Sequence, residues 1–196
     1  MTVSATKDAL RRSTRTALAT LTAADRALAG TELVRRISSH PVWQDARSVM
    51  LFSPLPDEPP IAGLLAAGIV GGKTMCLPRS RPEADTYEAA IVGDVARDLV
   101  PARFGILEPS AHCPALALNQ LDLVFVPGVA FAPGGARLGR GRGFYDRILA
   151  AVTGARIGIA FDEQWVPEIP VEPHDMRLTG LVTPGRGWRT FPDGAE

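Results

Sequence analysis

The residues best suited to do chemistry lie in one glycine- and arginine-rich stretch of the chain. Three arginines share it with three glycines at alternate positions: Arg137, Arg140, Arg142, Gly139, Gly141 and Gly143. Glycine permits positive φ angles and lets the backbone approach a ligand closely. The planar guanidinium of arginine matches the oxygens of a phosphate group. The stretch therefore predicts a loop that binds a phosphate-bearing ligand.

A strand and a helix are predicted on either side of this loop. Residues 121–126 form a continuous apolar run, which is typical of a central parallel strand covered on both faces. A helix is predicted from about Phe144 to Val152, and its N-terminus favours an anion. Asp146 falls in its first turn, where a carboxylate either complements the helix dipole or, beside phosphates, holds Mg²⁺. We expect this position to be exposed, so that Asp146→Asn would leave the fold intact.

A second phosphate-loop candidate, Gly71-Gly72-Lys73-Thr74, is rejected. A P-loop needs a glycine five residues before Gly72, where this chain has Ala67. The predicted order, helix before and strand after, is also the reverse of the order around a P-loop. We interpret the segment as a helix C-cap and a turn.

The other predicted elements alternate between helices and strands. Two helices are predicted within residues 6–38, divided by an N-cap at Thr22 with Asp25 three residues later. A further helix is predicted over 61–67, and strands over 48–53, 73–77, 87–92, 156–161 and 181–182, with Pro78 ending the second. This alternation predicts an α/β fold: a three-layer α/β/α sandwich with a mainly parallel central sheet, Rossmann-like, in one domain over residues 1–196.

Charge and composition exclude several classes of protein. Lys and Arg total 21 and so do Asp and Glu, and this absence of a basic excess argues against a general nucleic-acid binder. The two cysteines are too few for a disulfide scaffold and favour a reducing compartment. No apolar stretch approaches the roughly 18 residues of a membrane span. We expect a cytoplasmic protein without a membrane or nucleic-acid partner.

Several segments together resemble the 5-formyltetrahydrofolate cyclo-ligases, also called 5,10-methenyltetrahydrofolate synthetases. The longest match is Val126-Pro-Gly-Val-Ala-Phe131 followed by the run from Arg137 to Asp146. Shorter matches are Lys7-x-x-x-Arg11, the Phe-Gly-Ile-Leu-Glu-Pro segment at 104–109, and a C-terminal signature within residues 158–175. The resemblance implies ATP-dependent conversion of 5-formyltetrahydrofolate to 5,10-methenyltetrahydrofolate with release of ADP and phosphate. It also implies Mg²⁺ as cofactor, with ATP and a reduced formyl folate as small-molecule substrates. We expect a monomer, although the sequence itself does not reveal the oligomeric state.

The resemblance also implies roles for individual residues. The implied ATP-binding residues are Lys7, Arg11, Arg137, Leu138, Gly139, Arg140, Gly141, Arg142, Gly143, Phe144 and Tyr145. The implied folate-binding residues are Ser53, Glu58, Arg140, Gly141, Arg142, Gly143 and Phe144. Asp146 and Asp175 are the implied magnesium ligands, and the implied catalytic residues are Arg140, Arg142 and Tyr145. Phe131, Phe144, Tyr145 and Trp165 are candidates for stacking on the pterin ring.

The sequence departs from the family at two of these positions. Pro59 and Pro60 follow Glu58, where relatives carry a threonine within two residues, and Phe144 replaces a common tyrosine. The residues alone leave other functions open. A sugar-phosphate isomerase or CoA-ester enzyme would use such a loop for a different phosphate, and a non-catalytic nucleotide or RNA binder would use its arginines.

Overall fold

Helices and strands alternate along the chain in the computed structural model, which describes residues 3–81, 86–102, 105–141 and 143–191. The α-helices of these ranges are α1 (Val3–Leu18), α2 (Ala23–Ser38), α3 (Pro41–Asp45), α4 (Gly63–Val70), α5 (Val95–Asp98) and α6 (Phe144–Leu149). The strands are β1 (Ser48–Met50), β2 (Thr74–Arg81), β3 (Thr86–Ile91), β4 (Leu99–Pro101), β5 (Leu107–Pro109), β6 (Ala115–Leu116), β7 (Leu123–Val126), β8 (Ala130–Phe131), β9 (Arg137–Leu138), β10 (Ala155–Ile159), β11 (Gly180–Thr183) and β12 (Gly187–Thr190).

One large sheet organises the molecule. Its strands follow the order β12-β11-β10-β7-β1-β2-β3-β6. The strands from β11 to β2 in this order pair in parallel, whereas β12 at one edge and β3 and β6 at the other pair antiparallel. Two short hairpins, β4–β5 and β8–β9, stand apart from this sheet. The predicted α/β class with a mainly parallel sheet and flanking helices is confirmed.

The apolar run before the glycine-rich loop forms the centre of the sheet. All four residues of β7, from Leu123 to Val126, are fully buried. The strand pairs with β1 through Val49 and Leu123, and with β10 through Ile157 and Phe125. Continuous apolar sequence suits this position because helices cover both faces of a parallel sheet.

The two N-terminal helices form as the capping pattern predicts. The Thr22 hydroxyl accepts the Asp25 N–H at 3.1 Å, and the Asp25 carboxylate accepts the Thr22 N–H at 2.9 Å. These reciprocal bonds satisfy N–H groups that would otherwise lack partners at the start of α2. None of the described helices is both long and apolar enough to cross a bilayer.

Two predicted strand boundaries were wrong by three residues or more. β1 ends at Met50 instead of continuing to Ser53, and β2 continues through Pro78 to Arg81. The pairing of β2 with β1 ends at Cys76, and from there to Arg81 β2 pairs only with β3. A strand paired on one side tolerates proline, which lacks the N–H that a second ladder would need.

The rejected P-loop is a helix end. Gly71 caps α4, and Gly72 follows with a φ of 76°. The Lys73 ammonium donates to the carbonyl oxygens of Gln44 at 3.1 Å and Ala46 at 2.6 Å. The lysine therefore fixes the end of α3, just before β1, and the rejection is confirmed.

A buried carboxylate, that of Asp98, holds the β4–β5 hairpin in place. The sequence analysis did not predict this hairpin. The Asp98 side chain is 5% exposed and accepts the Gly93 N–H at 2.8 Å and Arg97 Nε at 2.7 Å. The Ser110 N–H donates to the Asp98 carbonyl at 2.8 Å, which closes the hairpin at its base. Bonds from Arg97 and His112 hold the pKa of Asp98 well below its usual range, so the anchor stays charged.

Candidate active site

One cavity of about 1050 Å³ lies at the carboxyl ends of the central strands. Phe52 and Ser53, just after β1, line one side, and Pro127 and Gly128, just after β7, line the other. From β1 the chain crosses through α4 to β2, whereas from β7 it crosses through α6 to β10 on the opposite side. The cavity therefore lies at the point where the strand order reverses, which is where open α/β sheets bind their ligands.

The glycine loop spans residues 137–143, and its described residues, 137–141 and 143, form one wall of this cavity. Gly141 and Gly143 have φ angles of 96° and 60°, so the predicted left-handed backbone is confirmed at both. Gly143 is also the N-cap of α6. Gly139 contributes its carbonyl oxygen, which accepts Arg11 Nε at 3.0 Å and so joins the loop to α1.

Arg137 and Asp146 form an ion pair beside the loop. Arg137 Nη2 lies 2.8 Å from Asp146 Oδ1, and the two side chains are 4% and 21% exposed. The Arg137 guanidinium also lies 5.8 Å from the centre of the Tyr145 ring. Among the described residues, the buried Arg137 Nε has no hydrogen-bond partner. The expectation that Asp146 is an exposed position was wrong, because the helix packs its first turn against this buried arginine.

A lysine clamp lies on the neighbouring wall, and we use this name for Lys7, Glu172 and Asp175. The buried Lys7 ammonium lies 2.8 Å from Glu172 Oε2 and 2.7 Å from Asp175 Oδ2. The Glu172 N–H also donates to Asp175 Oδ2 at 2.9 Å. Burial works against the charges, but these bonds outweigh it: the pKa of Lys7 is raised and the pKa of Asp175 is lowered.

Arg140 crosses from the glycine loop to the segment between β1 and α4. Its Nη2 lies 2.6 Å from Asp57 Oδ1 and 3.1 Å from Glu58 Oε1. The Glu58 carboxylate is 7% exposed and accepts the Leu55 N–H at 3.0 Å. Burial raises the pKa of Glu58 above its ordinary value despite both bonds. Ser53 donates its hydroxyl proton to the Leu107 carbonyl of the β4–β5 hairpin.

Aromatic rings line the cavity between these polar groups. The rings of Phe144 and Tyr87 have centroids 3.7 Å apart, and Tyr145 lies 4.9 Å from Phe144. Burial raises the pKa of Tyr145, so its hydroxyl stays protonated. Two candidates for stacking on a pterin were wrong. Phe131 is buried in the core, and Trp165 stacks on Phe191.

Apart from Phe131 and Trp165, all predicted site residues that the structure describes line this cavity: Lys7, Arg11, Ser53, Glu58, Arg137, Leu138, Gly139, Arg140, Gly141, Gly143, Phe144, Tyr145, Asp146 and Asp175. Arg142 and Phe104 lie outside the described residues. The sequence analysis missed Asp57, Tyr87 and Glu172. Two of these have a signal in hindsight, because Asp57 directly precedes Glu58 and Glu172 stands three residues before Asp175.

Each described basic residue of the predicted phosphate site already has a carboxylate partner. Arg11 pairs with Asp8 at 2.7 Å, and Lys7, Arg137 and Arg140 have the partners given above. Carboxylate and phosphate oxygens suit a guanidinium equally well. The arrangement can therefore exchange its own carboxylates for the phosphates of a ligand.

Known proteins resemble this chain in sequence and in fold. The chain is 38% identical over 146 residues to a 5-formyltetrahydrofolate cyclo-ligase from Mycolicibacterium smegmatis, covering 72% of this chain and 75% of the relative. It is 29% identical to a mouse protein of the same name, covering 93% and 95%. The solved structure of the Aquifex aeolicus 5,10-methenyltetrahydrofolate synthetase superposes with a TM-score of 0.84 at 28% identity, covering 97% of this chain and 95% of that one.

A family model extends the agreement over most of the chain. The model described as the 5-formyltetrahydrofolate cyclo-ligase family matches residues 3–184, which include α1 with Lys7 and the segment that carries Asp175. The chain therefore belongs to the 5-formyltetrahydrofolate cyclo-ligase family.

Proposed function

We propose that this protein catalyses the ATP-dependent cyclisation of 5-formyltetrahydrofolate to 5,10-methenyltetrahydrofolate, releasing ADP and phosphate. The observation that carries the proposal is the convergence, in one cavity at the strand-order reversal, of a glycine loop, paired basic residues and a buried carboxylate. At about 1050 Å³ the cavity is at the upper end of the usual range for ligand sites, which suits two substrates held together.

The chemistry explains why such a reaction needs ATP. The formyl group on N5 is an amide, which is a poor electrophile, and its oxygen would have to leave as hydroxide. Transfer of the γ-phosphoryl group to that oxygen releases ADP and turns the oxygen into a phosphate leaving group. N10 then attacks the formyl carbon and forms the new C–N bond. The C–O bond breaks, phosphate leaves with its electron pair, and N10 loses its proton. Attack within one molecule gains the rate advantage of proximity.

The residues of the cavity contribute position and charge. Arg140 and Arg142 would stabilise charge on the transferring phosphoryl group, while Lys7, Arg11 and Arg137 would hold the other phosphates. The neutral hydroxyl of Tyr145 is suited to donate a hydrogen bond in the same cavity. No protein nucleophile is required.

The folate would bind on the side of Glu58. The pyrimidine edge of a pterin carries N–H donors, and a buried carboxyl group is a directed acceptor for them. The neighbouring Ser53 and the rings of Phe144 and Tyr87 would provide the rest of the wall. The Tyr87 ring lies against Phe144, the position at which the family resemblance implies a tyrosine.

The donor set on the other side suits Mg²⁺. Asp146 and Asp175 offer hard carboxylate oxygens on the same cavity, and each is already bonded to a cation that a metal ion would replace. When bound, Mg²⁺ would neutralise charge on the phosphate groups of ATP.

A direct assay tests the proposal. Purified protein with ATP, Mg²⁺ and 5-formyltetrahydrofolate should develop the absorbance of the methenyl product, with one ADP formed for each product molecule. Omission of the folate is the control, and ATP should then stay intact. ATP-independent conversion of a sugar phosphate or CoA ester, with no change in the folate spectrum, would instead favour an isomerase or CoA-ester enzyme. The cytoplasmic location, the monomeric state and the single domain over residues 1–196 stay predictions.

A further inference from the structure

Glu172 is the one member of the lysine clamp to which neither the motif nor the proposed mechanism gives a task. Its carboxylate lies 2.8 Å from the Lys7 ammonium, which also lies 2.7 Å from Asp175. Its side chain is 43% exposed, whereas that of Asp175 is 17% exposed. One buried cation thus faces two carboxylates, and the clamp as a whole carries an excess negative charge.

This excess bears on which form of the nucleotide can enter. A free triphosphate brings only negative charge, and both clamp carboxylates would repel it while their bonds keep Lys7 occupied. A triphosphate accompanied by Mg²⁺ brings the cation that Asp175 is suited to take. Lys7 would then keep Glu172 as its partner and stay in place beside the phosphates.

We propose that Glu172 is a positioning and specificity-determining residue that, through Lys7, makes the nucleotide site select the magnesium complex of ATP over free ATP. This inference rests on the proposed function, because it takes the clamp to border the triphosphate. When the magnesium complex binds, Asp175 would change its partner from Lys7 to the metal. Glu172 would keep its bond to Lys7 and so hold the ammonium in place. If Glu172 were instead a metal ligand, its removal would weaken binding of the magnesium complex alone.

Calorimetric titration of the full-length protein with the non-hydrolysable β,γ-imido analogue of ATP tests the proposal without any turnover. Two dissociation constants are measured at equal ionic strength, one with Mg²⁺ and one with EDTA, and their ratio gives the selectivity. Glu172→Gln should tighten binding of the metal-free analogue at least about threefold, the scale of a partly exposed ion pair. It should change binding of the magnesium complex by less than about twofold on the same scale.

Glu168→Gln is the matched control. Glu168 lies four positions earlier on the same segment, is exposed, and carries the same charge. Its removal should leave the selectivity as it is in the wild type. A Lys7→Met background completes a double-mutant cycle. There Glu172→Gln should no longer change the selectivity by more than about twofold, because the residue acts through Lys7.

The outcomes separate this inference from the proposed function. Normal binding with an unchanged selectivity in Glu172→Gln overturns the inference and leaves the function standing. Weaker binding of the magnesium complex alone also overturns it, and makes Glu172 a metal ligand. If Glu172→Gln changes the selectivity just as much in the Lys7→Met background, Glu172 does not act through Lys7, and the inference is overturned. A wild-type protein that binds neither form overturns both the inference and the nucleotide site.

Discussion

Removing the carboxylate of Asp146 should affect stability and metal dependence at the same time. Asp146→Asn keeps the size of the side chain but takes away the charge that lies 2.8 Å from Arg137. Because the Arg137 side chain is only 4% exposed, its guanidinium would remain buried without the charge of Asp146 beside it. The substitution also removes a negative charge from the first turn of α6, where it complements the helix dipole.

The size of the stability effect follows from burial. Breaking a fully buried ion pair by removing one partner costs about 3–5 kcal/mol. Asp146 is 21% exposed, so water reaches the pair and reduces that cost. We expect a loss of about 2 kcal/mol in the free energy of unfolding, between the surface and buried limits. For a chain of this length that corresponds to a fall in Tm of roughly 4–8 °C.

Asp8→Asn provides a matched comparison. Asp8 also pairs with an arginine, Arg11, at a nearly equal distance of 2.7 Å, but its side chain is 54% exposed. Exposed pairs contribute about 0.2–1 kcal/mol, so this variant should unfold close to the wild type. Urea denaturation of the three proteins gives the two differences directly.

The metal effect is measured separately. Turnover at saturating ATP and folate should require at least about tenfold more Mg²⁺ in Asp146→Asn, since a lost charged ligand bond costs on the order of 1.5–3 kcal/mol. Asp8→Asn should keep the wild-type dependence on Mg²⁺. Equal stabilities of the two variants would refute the burial argument, and an unchanged Mg²⁺ requirement would remove Asp146 from the metal site.

Three further predictions concern other parts of the molecule. Burial raises the pKa of Glu58, so the folded protein loses stability as pH rises above the ordinary pKa of a glutamate; Glu58→Gln should therefore gain stability relative to the wild type over that rise, and a gap independent of pH would contradict this. Gly143→Ala and Gly72→Ala should each cost about 1–2 kcal/mol in urea denaturation because both have positive φ, but only Gly143→Ala should lose activity; equal activities would separate the loop from catalysis. Burial raises the pKa of Cys76 to about 12, so a thiol reagent should label Cys76 only after unfolding, and rapid native labelling would show an open core.

Local patterns in the sequence were sufficient for the parts of the fold that local interactions decide. Thr22 and Asp25 cap α2 through bonds between residues three apart, and Gly141 and Gly143 have the left-handed backbone that glycine suits best. The apolar run of β7 likewise reports its own burial on both faces. Each of these features depends on a few consecutive residues, and it can therefore be predicted from the sequence without knowledge of the fold.

Features decided by distant neighbours could not be found in this way. β2 runs through Pro78 because β1 has already ended beside it. The residues around Pro78 give no sign of where β1 ends. The partners in the cavity are equally remote. Arg140 and Asp57 are 83 positions apart, and Lys7 and Glu172 are 165 apart. Periodicity and spacing cannot pair such residues, because the pairing is set by the order of strands in the sheet.

The lysine clamp joins α1 to the segment after β10, across 168 positions of sequence. During synthesis, a ribosome-bound chain can bury most of its sheet while Asp175 is still unmade or inside the exit tunnel. The clamp is then one of the last contacts of the cavity to form, after the centre of the sheet. A chain that ends before Asp175, or that lacks α1, would be unable to form this clamp.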